Sequence, residues 1–442
     1  MGVPTKTDSI LHKLAAQAHS ENGRHALLDQ IRRSSLEDLS QTRFPTSKDE
    51  DWRFLNLKPI TRSSFVPIGE AGINSIENPE QYFIPESEAN RLVFINGTYN
   101  EELSSVSGLP EGVVVGNLKE HLEHPSVDKF LNKLVNYEND PFTHFNGTFF
   151  EDGGFIYIPE GVEIENPVQL LNLYTDAEEE YFATPRVLLV AESGSSATII
   201  EDHIGVGENK YLTVPVSEFK LYSGAHIHHV RIQRDSLKAV HISRPIAYLE
   251  KHCEYHSYTI SIGGHLTRNE PRVVQEDEEV SFTLDGLVLI DGEQIADTHS
   301  LMDHRFSHGE SHQLHKVVVK GKAHSIFNGK IFVRKDAQKI DSFQENRNLL
   351  LSIDGLVNTK PQLEIFADDV LCSHGATIGQ LDPEEVFYLE SRGMTKEKAR
   401  EVLTYAFALE TIENVKVDSV HELLIDEVKR YTSDHKSERL TV

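Results

Sequence analysis

Cysteine is scarce in this sequence: Cys253 and Cys372 are the only two among 442 residues. Two cysteines so far apart cannot form the disulfide framework that stabilises small secreted proteins. The length is enough for two or three domains with a large buried core. The scarcity of cysteine therefore indicates a reduced, intracellular protein whose fold depends on apolar packing.

Long apolar segments are also missing. No run of about 18 apolar residues occurs, so we expect no transmembrane helix. The N-terminal stretch MGVPTKTDSILHKLAAQ lacks the apolar region of a secretory signal. Lys6 occupies the position at which a myristoylation motif requires Ser or Thr. These features predict a cytoplasmic protein that does not associate with membranes.

Positive charge is in deficit. The chain has 43 Lys and Arg against 70 Asp and Glu, which gives a formal net charge of −27. A chain this acidic is a poor partner for nucleic acid or for an anionic membrane surface. It suits contacts with basic protein surfaces or small cations better, and the charge could equally serve solubility alone.

The common catalytic motifs are absent. The sequence contains no GxxxxGK[ST] phosphate loop, no GxGxxG, no GxSxG, no HExxH and no CxxC. It therefore shows no sign of hydrolysing ATP by itself, of a Rossmann dinucleotide site or of a self-contained zinc site. No motif in the sequence identifies an enzyme.

The sequence does contain regions of different secondary-structure pattern, which follow one another along the chain. Residues 1–140 form a helical and mixed region. Apolar residues at helical spacing predict helix over 8–41 and over 117–136, the second interrupted at Pro125. A short apolar run predicts a strand over Leu92–Ile95.

Two local motifs in and after this region predict particular backbone turns. The segment SKDE at 47–50 has the form of a capping box, in which Ser and Glu each satisfy a free amide at a helix start. The NGT segments at 96–98 and 146–148 match a glycosylation pattern, but without a secretory route we interpret both as Asn-Gly turns.

Residues 141–375 form a long β-rich region with no convincing amphipathic helix. Short β-branched and aromatic runs alternate with Gly, Pro, Asn or Asp, as in FFEDGGFIYIPEGVEIENPVQLLNLYT. A sandwich, a barrel and a solenoid all fit this pattern. Numerous short strands, few two-residue hairpin signals and small residues at corners such as Gly194 and Gly224 favour a mainly β solenoid. Helical regions at both termini would cover its open ends.

Residues 376–442 return to a helical pattern. Asp382 is a predicted N-cap, followed by Pro and two glutamates, and Gly393 is a predicted stop. A second helix is predicted after Thr395, and a third from Ser419 with a glutamate in capping-box position. The second helix is predicted to bury one apolar face, which consists of Ala399, Val402, Leu403, Ala406, Leu409 and Ile412.

Histidines are abundant, at 23, and many are clustered in the sequence. One cluster lies at 226–229 and a second at 299–324. On a strand, His226 and His228 would share one face and could bind a divalent metal together. Histidines on solvated strand faces that make ordinary hydrogen bonds are the alternative interpretation, and it remains open.

Cys372 and His374 are separated by one residue near the end of the β-rich region. On an extended chain both side chains project from one face, where thiolate and imidazole could bind iron, zinc or an iron–sulfur cluster. Two ligands do not complete such a site, so further donors would have to come from elsewhere or from another chain. A nucleophile with its base and a pair of buried side chains at a domain junction are the alternatives.

At these residues the sequence becomes recognisable. CSHGATIGQLDPEEVFYLESRGM, preceded by RNLLLSIDGLVNTKPQLEIFADDV, resembles the C-terminal part of the D subunit of the Suf iron–sulfur cluster assembly scaffold, in the SufB/SufD family. DEDWRFLNL and HFNGTFFEDGGFIYIPEGVEIENPVQLL are similar to earlier segments of that family. The resemblance covers most of residues 45–415.

The resemblance implies a right-handed parallel β-helix core over 141–375, between helical regions at 1–140 and 376–442. It implies a non-catalytic scaffold subunit that pairs with the homologous B subunit through the end of the β-helix. The C-terminal helices would dock the C subunit, an ABC-type ATPase, which would account for the missing phosphate loop. The partner-binding residues expected on these helices are Asp382, Glu385, Tyr388, Arg392 and Tyr405.

The resemblance also implies a role for His374, which would complete a transient, nascent cluster site with a cysteine of the B subunit. Cys372 is the weaker candidate. The B-subunit cysteine corresponds roughly to Ile353-Asp354-Gly355, where this chain has none, so the chain alone should hold no cluster. When isolated it is expected to form a homodimer. Reduced flavin is associated with the family complex, and no residue here assigns it a place.

Two other functions remain as alternatives. A β-helix enzyme that acts on polysaccharide would gather carboxylates on one groove, and the nearest acidic run is 276–279. That run is more simply a solvated loop. A homodimeric metal-buffering protein would instead use the histidine clusters.

Overall fold

The computed structural model describes residues 25–68, 76–135 and 140–433. It is mainly β, with 40% strand and 22% helix, and contains a β-solenoid of about eight turns with helices toward both termini. The predicted parallel β-helix is therefore confirmed. The predicted helical segment 8–24 and the polar tail after 433 lie outside the described residues.

Fourteen of the strands form one wall of the solenoid. Neighbouring strands within this wall are parallel, except that β5 is antiparallel to β6. The strands of this first sheet are β1 (Val66–Pro67), β5 (Val114–Asn117), β6 (Gly153–Ile158), β8 (Tyr181–Ala183), β9 (Arg186–Ala191), β11 (Tyr211–Thr213), β12 (Val216–Leu221), β14 (Val240–Leu249), β16 (Leu266–Asn269), β17 (Arg272–Gln275), β19 (Ile295–His304), β21 (His324–Val333), β23 (Leu356–Thr359) and β24 (Gln362–Ile365).

Eleven strands form the second wall. Its neighbours are parallel from β2 onward, and β3 and β4 pair with β2 in antiparallel fashion. The strands of this second sheet are β2 (Asn90–Ile95), β3 (Thr98–Tyr99), β4 (Ser105–Val106), β7 (Val168–Tyr174), β10 (Ser196–Gly205), β13 (His226–Arg234), β15 (Glu254–Ser261), β18 (Ser281–Ile290), β20 (Glu310–Val319), β22 (Asp341–Leu350) and β25 (Leu371–Gly379).

One corner of the solenoid is a stack of residues in the left-handed backbone region. Gly161, Gly194 and Gly224 begin the stack, with φ of 69°, 69° and 73°. Each N–H in the stack donates to a carbonyl of the following turn, as from Gly194 to Ser223 at 3.0 Å. The later members of the stack are non-glycine residues, which makes the repeat hard to see in the sequence: His252, Glu279, His308 and Lys339.

The interior between the two walls is mostly apolar. A single buried cluster extends from Leu92 in β2 to Ile340, just before β22. Alternate residues along each strand enter this core, as the period of two in a strand requires. Removal of this apolar surface from water is the main stabilising contribution to the solenoid.

The N-terminal end of the solenoid is covered. The predicted strand over Leu92–Ile95 is confirmed as part of β2, which lies along β7. The predicted turn at 96–97 is also confirmed: Asn96 and Gly97 have φ of 53° and 87° and connect β2 to β3 in a hairpin. This end of the second sheet therefore terminates in antiparallel strands.

Helices and short turns cover the flank of the first sheet near this end. The described helices before the solenoid are α1 (Ala26–Gln41), α2 (Lys58–Thr61), α3 (Pro125–Phe130) and α4 (Pro141–Phe149). Short 3-10 turns lie at Glu50–Trp52, Pro79–Tyr82, Pro85–Ser87 and Leu118–Glu120. Trp52 is buried there, with the Arg268 guanidinium 3.7 Å from its ring centroid.

Several local predictions in this region are wrong. The capping box at 47–50 does not form, because the N-cap of the following turn is Asp49, whose carboxylate binds Arg43 and Thr46. The predicted turn at 146–147 lies inside α4, so the β-rich region begins with a helix. Asn146 is held there because its amide donates to Pro185 and Val214 carbonyls. Over 117–136, Pro125 begins α3 instead of interrupting a longer helix.

In the part of the chain that the structure describes, three helices follow the solenoid: α5 (Pro383–Ser391), α6 (Lys396–Ile412) and α7 (Asp418–Thr432). Asp382 and Thr395 are confirmed as N-caps, and Gly393 has φ of 93° just after α5. The capping box at Ser419 is wrong, because α7 begins one residue earlier and Ser419 instead donates to Glu86.

The predicted buried face of α6 is partly wrong. Ala399 and Ile412 are buried as predicted, but Ala406 is exposed. Thr404 and Ala408 are buried in its place. The contact with β18 and β20 selects the buried side of this helix, and the helical period alone does not specify it.

Candidate functional site

The last turn of the solenoid consists of β23, β24 and β25. β25 pairs with β22 on one side, and no strand of the described chain pairs with its other side. We call the segment 353–379 the open end. Apolar side chains are exposed on it, with relative exposures between 36% and 94%: Ile353, Leu356, Ile365, Phe366, Leu371 and Ile378.

Cys372 and His374 both lie on β25. In the register with β22 they pair with Ser342 and Gln344, whose side chains are buried inside the solenoid. Alternation along the strand therefore places both on the interior face, as their spacing predicted. Because β25 ends the sheet, this interior face is open to the outside there. His374 is exposed, and Cys372 is half-buried against the apolar core.

The environment of Cys372 favours a protonated thiol. Burial, and then the charge of Asp341, raises the pKa of Cys372 above its usual range. A thiol of raised pKa is a weak nucleophile and a weak metal ligand at neutral pH. No hydrogen bond between Cys372 and His374 is found in the described structure. The geometry gives no support to a nucleophile–base pair, and His374 is the better ligand candidate.

The surroundings of His374 do not form a complete metal site within the described residues. Among the described residues, no group of three or more His, Cys, Asp and Glu side chains is arranged to hold a metal ion. The segment Ile353-Asp354-Gly355, in the turn before β23, contributes no sulfur. His374 is thus an exposed imidazole at the open end that belongs to no group of three or more potential metal ligands in the described part of the chain.

The first histidine cluster divides between the two faces of β13. His226 and His228 share one face of the strand, as predicted, and this face is the outer one. The His228 ring stacks on His256 with centroids 4.9 Å apart. Burial lowers the pKa of His228 to about 4, and Lys416 Nζ lies 3.3 Å from its ring. His229 points inward and hydrogen-bonds Glu201 and Tyr255. Each ring has a partner within the chain, and that of His226 is Glu254 at 3.2 Å.

The second histidine cluster is dispersed. His304 and His315 are buried in the interior, and burial lowers their pKa values to about 4 and about 3. His299 pairs with Asp297 at 3.0 Å, and His312 packs against Phe343 on the outer face. Histidines adjacent in sequence therefore point into different environments, because strand alternation and the corner separate them.

The acidic run at 276–279 is also held by structural partners. Glu276 accepts a hydrogen bond from Lys220 at 2.6 Å, and Glu278 accepts one from Ser307 at 2.8 Å. Glu279 lies in the left-handed corner stack beside His252. The run therefore joins successive turns of the solenoid, and Glu276, Glu278 and Glu279 have partners within the chain.

The C-terminal helices pack on the outer face of the second sheet. Lys316 of β20 binds the Glu410 carboxylate of α6, and Arg347 of β22 binds the same carboxylate at 3.1 Å. At the far end, Tyr431 Oη donates to the Ile290 carbonyl at 2.8 Å. These contacts fix α6 and α7 against the strands that lead to the open end.

The helix α5 projects from this bundle with only Val386 buried. Asp382, Glu385 and Arg392 are exposed, and Tyr388 is 55% exposed with the Arg392 guanidinium 5.0 Å from its ring centroid. Phe387, which the sequence analysis did not single out, is 70% exposed. Tyr405 of α6 is instead half-buried against the bundle core.

Fold and site together define a parallel β-solenoid protein with a histidine on its open terminal turn. The model of the family described as "SUF system FeS cluster assembly, SufBD core domain" matches residues 173–407, and that of the "SufBD protein N-terminal region" matches residues 11–170. The chain belongs to the SufBD family of iron–sulfur cluster assembly proteins, and the resemblance seen in the sequence is confirmed.

Three relatives illustrate the extent of this similarity. An iron–sulfur cluster assembly SufBD family protein of Synechocystis sp. is 33% identical over 94% of both chains. The chloroplastic protein ABCI7 of Arabidopsis thaliana is 33% identical over 87% of this chain and 82% of its own length. The iron–sulfur cluster assembly protein SufD of Escherichia coli is 28% identical over 88% of this chain and 90% of its own.

No described helix is long and apolar enough to cross a membrane.

Proposed function

We propose that this chain is a non-catalytic, cytoplasmic scaffold subunit on which an iron–sulfur cluster is assembled in partnership with a homologous, cysteine-bearing B-type subunit. The observation that carries the proposal is the position of His374: an exposed imidazole on the interior face of a strand whose outer edge is unpaired. The cluster is cargo, which the complex builds and passes on.

The open end supplies the surface for pairing. An exposed strand edge offers a row of backbone donors and acceptors to another chain, and such edges are normally blocked unless they are used. The edge of β25 lies among apolar side chains with exposures of 94% for Ile353, 72% for Leu371 and 61% for Phe366. Exposed apolar side chains grouped around an open edge are typical of a protein interface.

The ligand requirement explains why a partner is needed. Iron–sulfur clusters are held by several thiolates, with imidazole as an occasional substitute. His374 offers one nitrogen, and no cysteine stands at 353–355 to offer sulfur. Two copies of this chain could cover each other's edges as a homodimer, but they would bring two imidazoles to the site. A B-type subunit with a cysteine in the corresponding turn supplies what this chain lacks.

The C-terminal helices supply a second docking surface, for the ABC-type ATPase subunit. The exposed aromatic and charged side chains of α5, with Phe387 and Tyr388 at its centre, are available for a protein partner. Asp382, Glu385 and Arg392 surround them, while the half-buried Tyr405 supports α6 from within. ATP hydrolysis on that partner would supply the energy for cluster assembly. This assignment makes the helical region 376–442 a docking domain, beside the β-helix core at 141–375 and the N-terminal region at 1–140.

The His374→Ala variant tests the proposal, and His312→Ala is its matched control. His312 is a partly exposed histidine on the outer face of the same sheet, two strands from β25. We expect His374→Ala to abolish cluster formation in the complex, measured by visible absorption and by transfer to an apo-acceptor, while the heterodimer still forms. His312→Ala should behave as wild type. Equal cluster formation in the two variants would refute the role of His374.

A further inference from the structure

A buried chain of hydrogen bonds inside the solenoid ends next to His374. Ser300 Oγ donates to Gln313 Oε1 at 2.9 Å, and Gln344 Nε2 donates to the same oxygen at 2.8 Å. Gln313 and Gln344 occupy one register position on successive strands, β20 and β22. The next strand in that register is β25, and its residue at that position is His374.

The side chain of Gln344 is fully buried, but only one of its two polar atoms, Nε2, makes a hydrogen bond. Its relative exposure is 0%, and its Oε1 atom is buried with no hydrogen-bond partner. A buried acceptor without a donor costs about 1–3 kcal/mol. Such a group calls for an explanation, since nearly all buried side-chain polar atoms in proteins are paired.

The orientation of this amide follows from its neighbours. Gln313 Oε1 is the acceptor for two donors, so the Gln344 nitrogen must face β20. The oxygen of the amide is consequently directed away from Gln313, and the strand on the other side of β22 is β25. Gly329 on the opposite wall leaves room for the amide, because a Cβ atom at that position would collide with Gln344 Nε2.

We propose that Gln344 is a positioning residue for His374: the exposed His374 ring turns toward β22, Gln344 Oε1 then accepts a hydrogen bond from one ring nitrogen, and the other nitrogen is left free to bind the cluster. A neutral imidazole has one N–H donor and one nitrogen with a free lone pair. Metal-binding histidines usually donate their second N–H to a carbonyl or carboxylate that fixes the tautomer and the ring orientation. The effect of Gln344 on cluster binding, as distinct from its contact with the ring, rests on the proposed function of His374.

The first experiment needs no cluster. The full-length chain is labelled with nitrogen-15 in its histidines, and the His374 ring signals are assigned by their loss in His374→Gln. Under mildly alkaline conditions we expect one tautomer to predominate in the wild type. In Gln344→Met, which keeps the side-chain length but removes the acceptor, the ring should relax toward the tautomer mixture of free histidine.

Ser342→Ala is the matched control. Ser342 is buried two residues before Gln344 on the same interior face, its hydroxyl bonds Ser311 at 2.6 Å, and it pairs in register with Cys372. This variant should leave the His374 tautomer unchanged. A free-histidine mixture in the wild type would overturn the proposal even if Gln344→Met failed to fold. An unchanged ring signal in a folded Gln344→Met would overturn it as well.

The second experiment separates this inference from the proposed function. The heterodimer with the B-type subunit is reconstituted with ferrous iron and sulfide, and cluster retention is titrated against an iron chelator. We expect Gln344→Met to weaken retention about 10- to 100-fold, as is usual when a ligand histidine loses its partner. If Gln344→Met alters the tautomer while His374→Ala retains the cluster, the contact stands and the proposed function fails. If His374→Ala abolishes the cluster but Gln344→Met alters neither readout, the positioning role fails alone.

Discussion

At the N-terminal end of the solenoid, β7 is followed outward by β2, which carries two antiparallel strands, whereas at the C-terminal end β25 is followed by no described strand. The covered end buries Leu92 and Val93 completely, and the open end leaves Leu371 72% exposed. The strands also differ in composition: β2 and β7 are mostly apolar and buried, whereas β25 contains Ser, His, Gly and Thr and is mostly exposed. The two ends of one solenoid can therefore differ in whether further strands cover them. In this chain the uncovered end bears the candidate site.

Buried ion pairs should matter most at the covered end. Arg186 pairs with Glu218 at 2.5 Å, and both side chains are fully buried. We expect Arg186→Met to lower the free energy of unfolding by about 3–5 kcal/mol, since Glu218 would remain buried without its counter-ion. Arg347→Met, near the open end and 36% exposed in its side chain, should cost no more than about 1 kcal/mol. Urea unfolding of both variants would measure the contrast, and equal losses would contradict it.

The flank covered by α6 should show a dependence on pH. Burial raises the pKa of Asp285 to about 7 from an unfolded value of 3.8, although the Leu314 N–H donates to it. A raised pKa in the folded state stabilises the fold at low pH, and this stability is lost as pH rises from about 4 to about 7.

Asp285→Asn keeps an acceptor for Leu314 and removes the titration. We expect this variant to gain about 2–4 kcal/mol relative to wild type between the acidic and the alkaline side of that window. Chemical unfolding at several pH values would measure this gain. A constant difference between the two proteins across pH would contradict the assignment.

Substitutions at the open end should weaken association with the B-type subunit more than they destabilise the fold. Leu371→Lys places a charge on the exposed edge strand, where lysine is an effective block to strand pairing. We expect the affinity for the B-type subunit to fall about 30-fold or more, as for the loss of an interface residue that contributes about 2 kcal/mol. Leu237→Lys, at a 43% exposed leucine away from the open end, is the control. Sedimentation of the mixed subunits would decide, and an unchanged affinity would place the interface elsewhere.

The smallest expected change in stability concerns the hydrogen bonds between the N-terminal region and α7. Glu86 accepts hydrogen bonds from the backbone and hydroxyl of Ser419 at the helix start. Burial opposes ionisation of Glu86, but these bonds hold its pKa below the usual value, so the contact contributes above pH 4.5 and is lost on acidification. We expect Glu86→Gln to cost about 1 kcal/mol at neutral pH, by thermal unfolding. The exposed neighbour Glu88→Gln should cost nothing, and equal effects would argue against these hydrogen bonds.

Local sequence was a good guide where local energetics decide the structure. Asp382 and Thr395 cap their helices because a side-chain oxygen meets an amide two or three residues away. Asn96 begins a hairpin because the Asn-Gly pair tolerates positive φ. In the candidate site, the spacing of Cys372 and His374 was enough to place both on one face of a strand.

The same kind of reasoning failed where a distant partner was available. Ser419 matched a capping box, but Glu86, far away in the sequence, offers its carboxylate to the same amide. Asn146 matched a turn, but it lies in a buried helix that is held by carbonyls of the first sheet. The sequence analysis missed Gln344, because only the register between neighbouring strands shows that Gln344 pairs with His374.

The sequence by itself favoured a mainly β solenoid with helical flanks, because alternation, corner residues and caps act over a few residues. Its motifs also determined the family, and the parallel β-helix followed from that family resemblance. The tertiary structure alone decided which end stays open, which histidines point inward and which buried amide pairs in register with His374. Those properties depend on pairing between strands about 30 residues apart, and the spacing of neighbouring residues does not encode that register.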